Sequence, residues 1–193
     1  VAGRFASDGR GCRSDPRRPN HRRQKSNRCR LAADYTCFFV RGKNQISIVW
    51  GSMYGMTEKG VRFVEKILDR EGVPYQSMRL PETSESDMVT HVFQSAGVIL
   101  AMPTYEYKMF PPVAHAIDEF GRKRITHKHA FRFGSFGWSG GAEKELVELM
   151  EKHRLNWNFV DSVEFKGAPL SVDFDHIESG VMNLIQAMKD KIL

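Results

Sequence analysis

The chain has 193 residues, a formal net charge of +6, 41% hydrophobic and 27% charged residues, which is the balance of a globular protein with one sizeable domain and an appendage. No apolar run approaches the roughly 18 residues of a membrane-spanning helix. The arginine-rich N-terminal stretch has neither the apolar core nor the small-residue cleavage site of a secretory signal. Membrane and secreted classes are set aside, and a cytoplasmic protein is expected.

The charge is unevenly placed. Residues 1–44 hold 12 of the 29 Lys and Arg against three acids, Asp8, Asp15 and Asp34, while the remaining residues are mildly acidic. All three cysteines, Cys12, Cys29 and Cys37, also fall in this segment. Its first 30 residues lack periodic apolar positions, so they bury too little surface to offset the entropy of ordering. Clustered arginines could neutralise nucleic-acid phosphates, but no aromatics are interleaved for base stacking. Residues 1–44 are therefore read as a disordered leader or linker remnant, and nucleic acid is not an expected partner. Cys12 and Arg18 stand in a C-x5-R spacing, yet in proline-broken sequence without the strand and helix a phosphatase loop requires. The cysteines show no C-x2-C spacing, so no structural zinc site is expected. Residues 34–40 could form a short strand or a sticky linker.

From Gln45 the pattern is regular. Ile46, Ser47, Ile48, Val49 and Trp50 read as a buried parallel strand. Val61, Val64, Ile67 and Leu68 then recur at helical spacing up to Gly72 and Pro74. Residues 75–80 form a peripheral strand, and Ser84 opens a helix with Met88, Val89, Val92 and Phe93 on one face. Residues 98–102 are the clearest central strand. Val113, Ala116, Ile117 and Phe120 give the third helix, and residues 130–136 the fourth strand. His127-Lys128-His129, before that strand, reads as a solvated turn rather than a ligand set. Leu146, Leu149 and Met150 outline a helix opened by Gly140-Gly141. Residues 157–165 make an edge strand, irregular around Asp161-Ser162. Ile177, Val181, Leu184, Ile185, Met188 and Ile192 complete an amphipathic helix, with Asp173, Asp175 and Glu178 read as caps and acidic surface. Five strands alternating with five helices predict an α/β three-layer sandwich with a five-stranded parallel sheet of order 2-1-3-4-5.

In such sheets a ligand sits outside the carboxyl ends of the strands, so the loops after strands one, three and four carry the chemistry. The first, Gly51-Ser52-Met53-Tyr54-Gly55-Met56-Thr57, offers three hydroxyls, a turn glycine and a helix N-terminus, without lysine. It is neither a Walker loop nor G-x-G-x-x-G. A neutral cradle of this kind suits a terminal monophosphate. The second loop is Pro103-Thr104-Tyr105-Glu106-Tyr107-Lys108, and the third is Ser135-Phe136-Gly137-Trp138-Ser139-Gly140-Gly141. Aromatics flanking turn residues there can stack on a flat ring, worth about 0.5–1.5 kcal/mol each beyond area burial. The three loops make a phosphate pocket beside an aromatic slot.

Ser52-Met53-Tyr54-Gly55-Met56-Thr57 resembles the FMN-phosphate loop of flavodoxins. The run from Pro103 through Lys108-Met109-Phe110-Pro111-Pro112, with Phe136-Gly137-Trp138-Ser139-Gly140-Gly141, resembles the C-terminal flavodoxin-like domain of flavodiiron proteins. The resemblance covers residues 45–193. It implies a short-chain flavodoxin fold with FMN bound non-covalently. Ser52, Met53, Tyr54, Gly55, Met56 and Thr57 would hold the phosphate. Pro103, Thr104, Tyr105, Glu106 and Tyr107, with Ser135, Phe136, Gly137, Trp138, Ser139, Gly140 and Gly141, would border the isoalloxazine. The family's upstream metallo-β-lactamase-like di-iron domain is expected to be lacking. The seven histidines (His21, His91, His115, His127, His129, His153 and His176) show no H-x-E-x-D-H arrangement, and no metal ligands are assigned.

The expected function is an FMN electron carrier, without catalytic residues of its own, passing electrons to or from a redox partner. The partner would be a rubredoxin-like or reductase donor, or a di-iron domain, and a homodimer is allowed for. The alternative is a flavin-dependent NAD(P)H:quinone-type reductase on the same fold.

Overall fold

The computed structural model describes residues 42–190. The basic run, the cysteines, the C-x5-R spacing and residues 34–40 lie outside the described residues. Five parallel strands form one sheet: β1 (Lys43–Trp50), β2 (Tyr75–Arg79), β3 (Ser95–Ala101), β6 (His129–Phe136) and β7 (Asn158–Lys166). Between β3 and β6 lies a small antiparallel hairpin, β4 (Thr104–Tyr105) with β5 (Lys108–Met109). The helices are α1 (Met56–Glu71), α2 (Glu85–Gln94), α3 (Pro111–Arg122), α4 (Ala142–His153) and α5 (Ser171–Asp190). The sheet runs β2-β1-β3-β6-β7, which is the expected 2-1-3-4-5 arrangement once the hairpin is set apart.

The central strands are apolar on both faces because both faces are covered. Val98, Leu100 and Met102 point into a core closed by α2, α3 and α4. Ile46, Ile48, Trp50, Ile99 and Ala101 point into the opposite core, closed by α1 and α5. Each fully buried Ile, Leu, Val or Phe stabilises the fold by about 1.5–3 kcal/mol. Glycine lets α1 and α5 come down onto the sheet: a Cβ at Gly180 would stand 2.3 Å from the Phe131 ring, and one at Gly60 2.7 Å from Phe133.

The helix ends follow local chemistry. Ser84 caps α2 by accepting the Asp87 N–H at 3.3 Å, and Gly72 ends α1 in the left-handed region at φ 65°. Asp173 accepts the Leu170 N–H at 2.8 Å where α5 begins, and Glu178 pairs with Arg70 at 2.7 Å. The edge strand β7 is irregular where expected: Ala130 and Phe131 pair with Phe159 and Asp161, leaving Val160 as the extra residue of a bulge.

Two features differ from the sequence reading. The second loop contains a two-stranded hairpin that the sequence had not indicated. The His127-Lys128-His129 stretch is a solvated turn only at His127, since Lys128 and His129 are buried. Lys128 Nζ donates to the carbonyls of Phe93 and Ser95 at 2.8 and 2.6 Å, which satisfies backbone groups at the junction of α2 and β3.

Candidate functional site

The loops leaving the carboxyl ends of β1, β3 and β6 surround a cavity of about 410 Å³. That volume lies within the range of small-molecule and cofactor sites. Glu106 is the one charged side chain among its lining residues.

The first wall is built by the turn into α1. Gly55 stands at the helix N-cap with φ 76°, where a side chain would be strained, and no side chain caps the helix. The N–H groups of the first turn are thus left to water or to an anion. Ser52 Oγ accepts the Gly55 N–H at 3.0 Å and holds the turn closed. Ser52, Met53, Tyr54 and Met56 face the cavity. Thr57 does not: it is buried, with its hydroxyl 3.0 Å from that of Ser135. That contact ties the first loop to the third.

The second wall is the β4–β5 hairpin. Pro103, Thr104, Tyr105, Glu106 and Tyr107 line the cavity, with Tyr107 69% exposed. Glu106 and Tyr107 form the turn with φ 46° and 64°. Two-residue hairpin turns favour positive φ at both central positions, a backbone that suits glycine and asparagine and strains larger side chains. Thr104 Oγ1 is buried without a hydrogen-bond partner. An orphaned hydroxyl in a cavity wall is a group built to meet something polar.

The third wall carries Ser135, Phe136, Gly137, Trp138 and Ser139, and Trp138 is 90% exposed. Gly140 and Gly141 stand behind it. Gly141 lies so close to the hairpin that a Cβ would fall 2.1 Å from the Tyr107 carbonyl oxygen.

Fourteen of the eighteen residues singled out in the sequence therefore meet around one space, while Gly55, Thr57, Gly140 and Gly141 shape it from outside. The sequence reading missed Gly167, which lines the cavity after β7 and donates its N–H to the Phe136 carbonyl at 2.8 Å. Its signal was present, since the end of the fifth strand lies on the same edge of the sheet as the other loops.

A larger hollow of about 590 Å³ opens between α4 and β7 over Leu146, Met150, Trp157 and Phe159. It touches none of the three loops, and the buried Arg132 at its base is paired with Glu164. Among the described residues, Glu85, His115 and Glu119 could hold a metal ion by proximity. They are already engaged, His115 with Glu85 at 2.7 Å and Glu119 with Arg122 at 2.6 Å. No helix among the described residues is long and apolar enough to cross a membrane.

No family model matches the chain. A rubredoxin-oxygen oxidoreductase of Megalodesulfovibrio gigas is 26% identical over 149 residues, which are 77% of this chain and 37% of that protein. An anaerobic nitric oxide reductase flavorubredoxin of Klebsiella pneumoniae is 31% identical over 126 residues, 62% of this chain and 24% of its own length. Among solved structures, the flavodiiron protein from Giardia intestinalis superposes with a TM-score of 0.73 at 22% identity, over 82% of this chain and 40% of that one. A flavodoxin from the domain Archaea superposes with a TM-score of 0.64 at 19% identity, over 75% of this chain and 99% of the flavodoxin.

The described residues thus form a flavodoxin-like domain, matching a flavodoxin over nearly its whole length. The chain is similar to flavodiiron proteins over 24% to 42% of their length.

Proposed function

We propose that the cavity binds FMN and that residues 45–193 act as an electron-transfer module between a protein donor and a protein acceptor. The observation that carries this is the single cavity made by three loops, with an uncapped helix N-terminus at one wall and exposed aromatics at the others. The free N–H groups opening α1, with Ser52 and Tyr54, would take the phosphate. Tyr105, Tyr107 and Trp138 would flank the ring. The Thr104 hydroxyl and the loop backbones would meet its polar edge. FMN would supply reversible one- and two-electron redox chemistry there. These residues would hold the ring between the walls, and Tyr54 and Trp138, which stand largely in solvent, would border the side left for a partner. A redox protein can approach there. The donor we favour is a rubredoxin-like protein or a reductase, and the acceptor a di-iron domain, in a cytoplasmic setting.

The test is the visible spectrum of the purified full chain, with released cofactor identified by chromatography and the stripped protein titrated with FMN. One FMN per chain supports the reading. A colourless protein that takes up no added FMN refutes it. Steady NAD(P)H turnover with a quinone in the absence of any protein partner would replace the carrier by a reductase.

A further inference from the structure

The β4–β5 hairpin carries the second wall of the cavity, yet its turn uses two non-glycine residues, Glu106 and Tyr107, at φ 46° and 64°. Such backbone persists only where its surroundings over-determine it. Two strands of two residues each supply little pairing of their own. The surroundings that hold it come from the first turn of α4. Gly141 lies under the Tyr107 carbonyl, at a distance that leaves no room for a Cβ. Four residues later, on the same face of the helix, Glu145 Oε2 accepts the Met109 N–H at 2.5 Å. That is a short, charge-assisted bond. On the other side, the Phe110 N–H reaches the Pro103 carbonyl at 3.2 Å and closes the base of the hairpin.

We infer that Glu145 is a positioning residue for the flavin wall: it lies outside the cavity, but its bond to Met109 keeps the Glu106–Tyr107 turn in its strained form and the aromatic wall in place. The inference rests on the flavin-binding reading and extends it to a residue not among the cavity's lining residues. The same helix turn follows directly from the Ser135–Gly141 loop, so α4 sets the second and third walls against each other. Removing the acceptor leaves the Met109 N–H without its partner, frees the turn to relax, and uncouples those walls.

The experiment compares Glu145→Ala, Glu145→Gln and, as a control on the exposed face of the same helix, Glu148→Ala in the full chain. Amide exchange at Met109 is read in the flavin-free protein, and affinity is read by flavin-fluorescence titration with FMN and with riboflavin. Loss of a hydrogen bond to a charged acceptor predicts that Glu145→Ala speeds Met109 exchange and weakens both ligands on the order of tenfold. The loss is equal for the two ligands because the hairpin meets the ring and not the phosphate. Glu145→Gln retains an acceptor and restores most of the affinity, and Glu148→Ala matches the parent. Affinity in Glu145→Ala within twofold of the parent, or faster exchange without rescue by glutamine, overturns the proposal. A parent chain that binds neither ligand refutes the flavin reading instead. Exchange at Met109 then still reports whether Glu145 holds the hairpin.

Discussion

Replacing Gly134 with alanine tests the link between the sheet and the cavity. Gly134 sits in β6 one residue before Ser135, where the Met102 N–H reaches the Phe133 carbonyl at 3.1 Å and draws the ends of β3 and β6 together. A Cβ on Gly134 would stand 1.8 Å from the Met102 carbonyl oxygen. Contacts below 3.0 Å are essentially never seen, so the strand ends must part by more than about 1 Å. The obstacle is backbone inside a hydrogen-bonded ladder, not the tip of a flexible side chain. The cost therefore belongs at the upper end of the overpacking range, about 3 kcal/mol. For a domain of this size that lowers Tm by roughly 6–12 °C. Gly137, three residues on, has open space around its Cβ position, and Gly137→Ala should change Tm by less than about 2 °C. Parting β3 from β6 also separates the hairpin wall from the third loop. Gly134→Ala should therefore bind FMN more weakly than the parent even well below its own Tm. Thermal unfolding of the three proteins, with FMN titration at low temperature, measures both effects. A Gly134→Ala protein within 2 °C of the parent and unchanged in FMN affinity would refute the argument that this close approach builds the cavity.

Further outcomes follow from single side chains. Burial lowers the Lys128 pKa from 10.5 to about 8, so between these values the unfolded chain binds more protons than the folded one, and stability must rise with pH. The full shift corresponds to at most about 3 kcal/mol, less what the two carbonyl bonds return to the charged form. Urea unfolding from pH 7.5 to pH 9.5 should show the rise, and Lys128→Met should flatten it; equal slopes in the two proteins would exclude Lys128 as its source. The range stops there because burial also raises the Tyr75 pKa, which makes stability fall as pH rises beyond about 10. Ser84→Ala removes the acceptor for the Asp87 N–H at the start of α2 and should cost about 1 kcal/mol in urea unfolding, whereas Ser84→Asp should restore most of it. Phe120 is fully buried and stacks on Trp157 with ring centroids 5.8 Å apart, so Phe120→Ala should cost roughly 3–5 kcal/mol, and a loss below 1 kcal/mol would contradict the packing described.

The fold was legible because its signals are local. Ile46 to Trp50 and Val98 to Met102 are apolar on consecutive positions, which a strand covered on both faces requires. Val61, Val64, Ile67 and Leu68 repeat at the period of a helix lying on one face. Strand order was then taken as the usual 2-1-3-4-5 of such sheets rather than read from any residue. The cavity was legible for a related reason: topology alone brings the ends of β1, β3 and β6 to one edge, so unusual residues after those strands had to meet. What stayed hidden depends on partners far apart in the chain. Lys128 read as solvated because its acceptors, Phe93 and Ser95, stand more than thirty residues earlier. Glu145 drew no notice in the sequence because its partner, the Met109 N–H, is a backbone group that no pattern of side chains marks. The hairpin turn was invisible for the opposite reason, since Glu106 and Tyr107 are residues that local preference steers away from positive φ. Such a turn forms only when tertiary contacts outweigh that preference, so the departure from local rules at Glu106 and Tyr107 itself marks where the structure has work for the hairpin to do. It lies at the mouth of the cavity, held by Gly141 and Glu145 from one side and open to a ligand on the other.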